Sequence, residues 1–292
     1  MNAILLACSS AFALSALAGA QPDVLGVAPR NLNRPLSAVP NEEAIVQRIW
    51  VPGLDQGFIP QGVAVAGDRV LLSGYHYDAK TKRSGPPCHV YVVDPEDGQV
   101  LSRIAVPRDV KHAGGVAWAR GAMWVVDVGI LYKLDLRGKV LGRAKVDPVM
   151  GPSFVSEWGN KLWVGLFVWP YEKKSPRAYL IDPEAAIRKK KLGPRDALAS
   201  IPIPKSVQGI AQNERGVWLA RSHSTLGELQ LVDPRSGALL ETYPLFPGVE
   251  DLGFAADGLL WTASEAGSLR WRKWKTNFPV LFALDPEKLQ SE

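Results

Sequence analysis

One pattern of short apolar strands occurs five times along this chain of 292 residues. Each copy begins with a strand such as Gly-Val-Ala, continues with a second apolar strand, and then has a third strand that ends on an aspartate. These aspartates are Asp94, Asp135, Asp182, Asp233 and Asp285, at intervals of 41, 47, 51 and 52 residues. The chain is therefore expected to fold as a series of similar units, each built from a few strands.

A period of about 40 to 50 residues that is filled with short strands is typical of a β-propeller. A four-stranded blade cannot bury both of its faces alone, and radial packing of blade against blade covers them. The fifth copy ends after its third strand at Asp285, whereas residues 44–50 form a lone apolar strand before the first copy. We therefore predict an all-β fold, a five-bladed β-propeller whose ring is closed by an N-terminal outer strand in the last blade.

The turns and the tryptophans agree with this fold. Asp94–Gly98 and Asp233–Gly237 place Asp, Pro and Gly where a tight turn between the third and fourth strands needs them. In the third copy, a long insertion is predicted to precede a fourth strand at residues 199–202. Tryptophan occupies the same place in four second strands, at Trp124, Trp163, Trp218 and Trp261. A position that four blades share favours packing between blades over contact with a ligand.

The N-terminus predicts export. Residues 1–20 carry no charge and end in Ala18-Gly19-Ala20, which is typical of a secretory signal peptide, although no Lys or Arg precedes the apolar stretch. Residues 21–43 are predicted to be an extended lead-in, and residues 44–292 a single propeller domain. We expect a periplasmic or secreted protein, in which the one remaining cysteine, Cys88, can form no internal disulfide.

The charge of the chain limits the classes of partner. The net charge is +5 and the isoelectric point is about 9.1. The densest basic run, Arg188–Lys191, is interpreted as the solvated tip of a long loop, so no nucleic acid is expected as a partner. The apolar N-terminus is too short for an integral membrane span. A closed ring of blades protects its strand edges, so a monomer is expected.

A propeller is a scaffold, and its function depends on a site built on it. The first strand of each blade lines the central channel, and residues at its start are expected to surround one mouth, together with residues that end the second strand. The polar and aromatic side chains at these positions are Gln61, Tyr75, His76, His112, Asp127, Ser153, Trp169, Gln208, Arg221, Ser222, His223, Glu250, Asp251 and Glu265. We predict that a small polar molecule or a peptide end binds at this mouth.

Three kinds of site remain open at the mouth. In metal-free acid–base catalysis, His112, Glu250 and Glu265 would be the catalytic groups. In calcium-assisted hydrolysis, Asp127 and Asp251 would add carboxylate oxygens to those of the two glutamates, and Gln61 and Gln208 would add carbonyl oxygens. Such a set suits Ca²⁺, although no metal-ligand spacing motif is present. In binding without turnover, Arg221 would hold an anionic group, Tyr75 or Trp169 would stack on it, and Gln61, Ser153, Gln208 and Asp127 would be further ligand contacts. A protein-interaction scaffold that uses the outer surface is a separate alternative.

The strand motifs resemble those of bacterial secreted propellers of the strictosidine-synthase-like, quinoprotein-like and YVTN group. This resemblance covers residues 44–290 and implies the fold, without implying a quinone cofactor, whose ligand set is not visible. Phe58-Ile59-Pro60-Gln61-Gly62 also resembles the Phe-Thr-Gln-Gly opening of plant-type glutaminyl cyclotransferases, which are five-bladed propellers, although Ile59-Pro60 stands where that family has Thr. The second resemblance implies that Gln61 lies in a channel site and that Glu265 or Glu250 shuttles a proton.

Overall fold

The computed structural model describes residues 23–32 and 34–291, and the predicted signal peptide over residues 1–20 lies outside them. The described strands form five sheets. The first strand along the chain, β1 (Ile45–Trp50), belongs to blade 5. Blade 1 contains β2 (Phe58–Ala66), β3 (Arg69–Asp78), β4 (Arg83–Val93) and β5 (Val100–Ala105). Blade 2 contains β6 (Gly115–Ala119), β7 (Ala122–Asp127), β8 (Ile130–Leu134) and β9 (Val140–Val146).

The remaining three blades repeat this order of strands. Blade 3 contains β10 (Phe154–Trp158), β11 (Lys161–Gly165), β12 (Arg177–Ile181) and β14 (Ala199–Pro202). Blade 4 contains β15 (Val207–Asn213), β16 (Gly216–His223), β17 (Leu226–Val232) and β18 (Leu239–Pro244). Blade 5 contains β19 (Val249–Phe254), β20 (Leu260–Ser264) and β21 (Val280–Leu284).

The ring closes where β1 joins blade 5. β1 pairs antiparallel with β21, with Arg48 opposite Phe282 and Trp50 opposite Val280. The sheet order is therefore β1-β21-β20-β19, so the N-terminal strand is the outer strand of the last blade. The predicted five-bladed propeller and its mode of closure are confirmed.

The insertion of blade 3 lies on the outside of blade 2. Helix α1 (Pro183–Lys189) is capped at its N-terminus by Asp182, whose carboxylate accepts hydrogen bonds from the backbone N–H groups of Glu184 and Ala185. After it, β13 (Lys191–Leu192) pairs in parallel with β9. The basic run that includes Lys191 consequently lies along the outer edge of blade 2, where its side chains are exposed.

The repeated tryptophans pack between blades, as predicted. The indole of Trp124 in blade 2 is fully buried in one apolar cluster with Val155 and Leu162 of blade 3. In the same way, Trp218 of blade 4 is buried with Leu252 and Phe282 of blade 5. Each such ring fills the space between two twisted sheets and so fixes the angle from one blade to the next.

The first strands approach one another closely at the channel axis. A Cβ atom on Gly62 would lie 2.4 Å from the backbone nitrogen of Val116 in the next blade. A Cβ atom on Gly209 would lie 2.3 Å from the Cα atom of Asp251. Glycine is needed at both positions because backbone from the neighbouring blade occupies the space of a side chain.

Polar side chains satisfy the backbone edges that face the channel. The Ser73 hydroxyl accepts a hydrogen bond from the Gly62 N–H at 3.1 Å and donates one to the Ala113 carbonyl at 2.8 Å. The buried Asp251 carboxylate accepts from the backbone N–H groups of Val155, Ile210 and Leu252, at 3.4, 3.3 and 3.0 Å. Because these three amides belong to three blades, Asp251 holds the first strands together at the axis.

The segment before β1 lies along the outer strand of blade 5 and against loops at one end of the channel. Leu25 forms a parallel bridge with Ile49, and the Ser37 N–H donates to the Asn277 carbonyl at 2.9 Å. No helix in the described part of the chain is long and apolar enough to cross a membrane.

Candidate active site

Loops of two kinds surround one end of the channel. In every blade the first strand runs away from this end, so the loops between second and third strands, and the loops that enter each first strand, lie around it. We call this side of the molecule the mouth face and the other side the opposite face. The two longest loops between second and third strands, residues 166–176 in blade 3 and residues 265–279 in blade 5, both lie on the mouth face.

These loops enclose a cavity of about 340 Å³ at the mouth. Its polar, charged and aromatic lining residues are Gln61, Tyr75, His112, Asp127, Ser153, Phe167, Trp169, Gln208, Glu250, Glu265, Arg270 and Trp271. The cavity continues over blade 2 into a cleft of about 550 Å³ that Lys111 and Asp109 border. A space of this size at the end of a propeller channel is suited to a small ligand or to one end of a chain.

Two buried carboxyl groups lie against each other in the cavity. Glu250 comes from β19, Glu265 directly follows β20, and their side chains lie close enough for the protonated carboxyl of one to donate to the other. Burial, and then the negative charge of Glu265, raise the pKa of Glu250 well above its ordinary value. Burial also raises the pKa of Glu265, to about 7, although Arg270 and the hydrogen bonds it receives oppose this shift. At neutral pH the pair therefore retains one proton and exchanges a second one easily.

A chain of hydrogen bonds connects this pair to His112. The Gln61 amide donates to Glu265 Oε2 at 3.4 Å, and its oxygen lies 2.5 Å from His112 Nε2. Because an amide oxygen only accepts, Nε2 carries the imidazole proton. The Asp127 carboxylate accepts from the backbone N–H groups of Lys111 and His112, at 2.8 and 3.2 Å, and so positions the histidine backbone. Burial lowers the pKa of His112, so the ring is neutral at neutral pH.

Arg270 supplies the positive charge of the cavity. Its guanidinium donates to the Tyr75 hydroxyl and lies over the Trp271 ring, 4.4 Å from the centroid. The Tyr75 ring in turn packs edge-on against His112, with 4.6 Å between the centroids. The indole N–H of Trp271 lies near enough to Glu265 to lower the pKa of that carboxyl, but it forms no hydrogen bond of ordinary geometry. The carboxyl pair thus faces one cation across the cavity.

An aromatic wall forms one side of the mouth. Phe167 packs edge-on against Trp169 at 4.9 Å, and Trp169 stacks on Tyr171 at 6.0 Å with 11° between the ring planes. The side chains of Trp169 and Tyr171 are 45% and 79% exposed. The loop that carries them is fixed, because Lys205 donates to its backbone carbonyls and the Trp169 N–H donates to the Glu172 carboxylate at 3.1 Å. An exposed ring on a fixed loop is available for stacking at little entropic cost.

Nine of the ten residues predicted as catalytic or ligand-binding line this one cavity. They are Gln61, Tyr75, His112, Asp127, Ser153, Trp169, Gln208, Glu250 and Glu265. Gln208 donates to Glu250 at 3.3 Å, and the Ser153 hydroxyl accepts from the Phe167 N–H at 3.1 Å. Arg221 lies outside, because it forms an ion pair with Glu228, its cross-strand partner, and donates to the Lys205 carbonyl.

The carboxylates do not assemble into a metal site. Asp251 is directed at three backbone amides and Asp127 at two, so neither joins the two glutamates. Among residues 23–32 and 34–291, no three His, Cys, Asp or Glu side chains have an arrangement that could hold a metal ion. The four carboxylates of the calcium alternative are therefore not brought together among the described residues, whereas the acid–base alternative has its two carboxyl groups close to each other.

Sequence reasoning missed Arg270, Trp271 and Phe167. Arg270 and Trp271 belong to the long loop of residues 265–279, which has no equivalent sequence in the other blades. Comparison of the repeats therefore could not identify them. The signal that could have found them is the 15-residue gap between β20 and β21, which is filled by Arg-Trp-Arg-Lys-Trp-Lys at its centre. Long loops on the channel end of a propeller are where binding residues concentrate.

No family model and no curated protein matches this sequence. Among solved structures, a glutaminyl cyclase from Myxococcus xanthus is similar, with a TM-score of 0.57 and 9% sequence identity over 85% of this chain and 96% of that chain. Weaker similarities connect the chain to a glucose dehydrogenase, with a TM-score of 0.41 and 11% identity over 91% of this chain and 87% of that one. The hydrazine synthase of Kuenenia stuttgartiensis gives a TM-score of 0.40 and 13% identity over 70% of this chain and 56% of that one. At these identities the first similarity shows the propeller fold alone.

Proposed function

We propose that this protein binds the N-terminal end of a peptide at the channel mouth and cyclises an N-terminal glutaminyl residue to pyroglutamate, with release of ammonia. The observation that carries the proposal is the buried contact between Glu250 and Glu265 beside an open cavity. The similarity in fold to a glutaminyl cyclase is consistent with this reaction. The proposal requires no metal ion.

The reaction needs one proton acceptor and one proton donor in succession. The α-amine of the substrate attacks the carbonyl carbon of its own side-chain amide, and a carbon–nitrogen bond forms while the amine loses a proton to Glu265. The carboxyl pair then returns a proton to the amide nitrogen, and the bond to that nitrogen breaks as ammonia leaves. A group with a pKa near the working pH suits both transfers, and burial brings the pKa of Glu265 to about 7.

The other cavity residues have roles that follow from their contacts. Gln61 orients Glu265, and its contact with neutral His112 fixes the amide in turn. Arg270 and the Gln208 amide supply donors for the oxygen that becomes negative when the amine attacks. Trp169 and Phe167 contact the residue that follows the glutaminyl end. The enclosing loops leave Glu250 and Glu265 only 2% and 6% exposed, and burial of this degree strengthens the electrostatic contacts of the pair.

The test is a direct assay with glutaminyl-alanyl amide. We expect stoichiometric ammonia release and a product that has lost one ammonia by mass spectrometry, with no reaction of the N-acetylated compound because its nitrogen cannot attack. EDTA should leave the rate unchanged. The matched variants are Glu265→Gln, which removes the proton acceptor, and Glu157→Gln, which makes the same change at the other end of the channel.

The outcomes separate turnover from binding. Loss of turnover in Glu265→Gln alone supports the proposal. Saturable binding of the compound at the mouth with no turnover by the unaltered protein would reject the reaction and leave a peptide-binding protein. Turnover that persists in Glu265→Gln would reject the assignment of the proton shuttle.

A further inference from the structure

The two faces of the propeller carry opposite charge. The mouth-face loops, which join the strands defined above at that end, contain eleven Lys and Arg residues but five Asp and Glu residues. The hairpin turns and connections of the opposite face contain six Lys and Arg but ten Asp and Glu, when the insertion over residues 182–198, which follows the outside of blade 2, is set apart. The overall charge of +5 is therefore concentrated around the mouth.

The acidic side chains of the mouth face are already engaged. Asp55 accepts from two backbone N–H groups of the N-terminal segment, at 2.9 and 3.0 Å. Asp109 accepts from the Tyr132 hydroxyl at 2.6 Å and pairs with Arg143 at 3.7 Å. Asp147 accepts from a backbone N–H, and Glu172 pairs with Lys174 at 3.2 Å. Most of the Lys and Arg residues on the mouth face therefore have no acidic side chain available to neutralise their charge.

The basic residues are densest beside the cavity. We call residues 270–275, Arg-Trp-Arg-Lys-Trp-Lys, the basic loop. Its first two residues line the cavity, whereas Arg272, Lys273 and Lys275 are exposed and form no ion pair with any described residue. Positive charge thus extends from Arg270 inside the cavity to the exposed side chains of Arg272, Lys273 and Lys275 outside it.

The basic loop is held in place. The rings of Trp271 and Trp274 pack at 4.7 Å, and the Arg34 guanidinium donates to the carbonyls of Trp274 and Arg272, each at 3.1 Å. The backbone that carries three cations is consequently fixed at the rim, so the loop itself needs no rearrangement when an anion binds. A concave site with charge of one sign around it raises the local concentration of ligands of the opposite sign.

We propose that the substrate of this site is an acidic peptide, whose reacting end enters the cavity while carboxylates in the following residues contact the basic loop. This inference rests on the proposed function for the identity of the reacting end. The substrate class it adds is an N-terminal glutaminyl peptide with Asp or Glu within the next few residues. Charge complementarity carries it, because the reacting end alone would need no cation outside the cavity.

The test compares peptides that differ in charge alone. The turnover of Gln-Ala-Glu-Glu amide is measured against Gln-Ala-Gln-Gln amide, in the unaltered protein and in two triple variants. Arg272→Gln, Lys273→Gln, Lys275→Gln removes three charges from the basic loop. Arg137→Gln, Lys139→Gln, Arg235→Gln removes three from exposed positions of the opposite face and is the matched control.

We expect the acidic peptide to have a kcat/KM about tenfold higher at low salt, an advantage that the basic-loop variant and high salt both abolish and the control variant keeps. Equal kcat/KM for the two peptides would overturn the inference while leaving the proposed function intact.

Binding of the N-acetylated peptides by calorimetry gives a readout that needs no turnover. Tighter binding of the acetylated acidic peptide that depends on the basic loop supports the inference even where no glutaminyl compound reacts, in which case the proposed function alone fails. Absence of any difference in binding overturns the inference.

A final experiment uses vesicles of phosphatidylcholine with and without phosphatidylglycerol. Capture by the anionic vesicles through the basic loop, with no preference among peptides, would assign this surface to a membrane instead.

Discussion

The two openings of the channel are built from the same five first strands but differ in what they contain. The mouth contains the buried pair Glu250 and Glu265, a neutral histidine and an arginine. The opening on the opposite face is bordered by small, aromatic and uncharged polar side chains, among them Ala255, Trp158 and Gln212. Glu157 is the one carboxyl among the described residues that line it. The five first strands, which are common to both openings, therefore do not determine which opening contains buried charged groups.

Loop length accounts for the difference. On the opposite face, first and second strands are joined by two-residue turns in four blades, at residues 67–68, 120–121, 159–160 and 214–215. Such turns leave the ends of the strands in water. On the mouth face, residues 166–176 and 265–279 extend over the channel and remove water from the carboxyl pair. Desolvation by loops changes an ordinary glutamate into a group that can exchange protons at neutral pH.

The strongest test of this difference is removal of one carboxyl from each opening. Glu265→Gln is expected to lower kcat/KM for glutaminyl-alanyl amide by about 10² to 10⁴-fold, the range that general acid–base groups contribute. Glu157→Gln should leave it unchanged, because that side chain caps the Asn160 N–H at the far opening. Steady-state ammonia release measures both. Equal losses in the two variants would show that the two openings do not differ in chemistry.

The second test measures how much the buried carboxylate of Asp251, which belongs to the channel but not to the proposed reaction, contributes to the stability of the fold. Asp251→Ala leaves three buried backbone N–H groups of three blades without their acceptor, which is expected to lower the free energy of unfolding by at least about 2 kcal/mol. Asp251→Asn keeps an acceptor oxygen and should recover most of that loss. Urea unfolding followed by tryptophan fluorescence gives the values. A stable Asp251→Ala protein would mean that the first strands need no partner at the axis.

A smaller effect is expected from pH. Folding raises the pKa values of Glu250 and Glu265, so the folded protein holds protons that the unfolded chain has released. The free energy of unfolding should therefore fall as pH rises from about 6.5 to 8, by at most about 1.4 kcal/mol per pH unit for each proton. His112 opposes this decline at the lower end of the window, because its pKa is lowered in the folded protein while about half of the unfolded imidazole is protonated near pH 6.5. The decline is therefore steepest above about pH 7.5, where the unfolded imidazole is neutral as well.

The control for the pH effect is the double variant Glu250→Gln, Glu265→Gln. It should show a shallower decline over the same window, and Asp251, whose pKa is also raised by burial, accounts for part of what remains. Urea unfolding at the two pH values measures the slope. A slope that is the same in both proteins would contradict burial of the carboxyl pair.

The smallest effect concerns aromatic rings. Trp169→Ala removes an exposed ring of the mouth and is expected to raise KM for Gln-Phe amide about two- to twelvefold, with little change in kcat. This is the range that one stacking contact of about 0.5 to 1.5 kcal/mol implies. Trp158→Ala removes a ring from the other opening and should leave both constants unchanged. Steady-state kinetics gives KM and kcat separately, and a fall in kcat alone would argue against stacking on the substrate.

The repeated parts of the molecule could be predicted from the sequence better than the unrepeated loops, of which only Trp169 and Glu265 were expected at the mouth. Gln61, Ser153, Gln208 and Glu250 were found because the start of each first strand is defined by its place in the repeat. Arg270 belongs to a loop with no counterpart in the other blades, so periodicity carries no information about it. Arg221 stands at the end of a second strand, as Asp127 does, but Glu228 across the hairpin binds its guanidinium. A pairing partner of this kind is fixed by register, which the repeat alone does not specify.

The pairing of β1 with β21 has a consequence for how the polypeptide can be cut and rejoined. Blades 1 to 4 each contain four strands in chain order, whereas blade 5 needs a strand from the start of the domain and three from its end. Folding of that blade requires contacts between residues far apart in sequence, which are slow to form. A circular permutant that opens at residues 245–248 and links residue 291 to the segment before β1 would make blade 5 contiguous. Every strand pair would be kept, and the slow step of ring closure would move to the packing of blade 4 against blade 5.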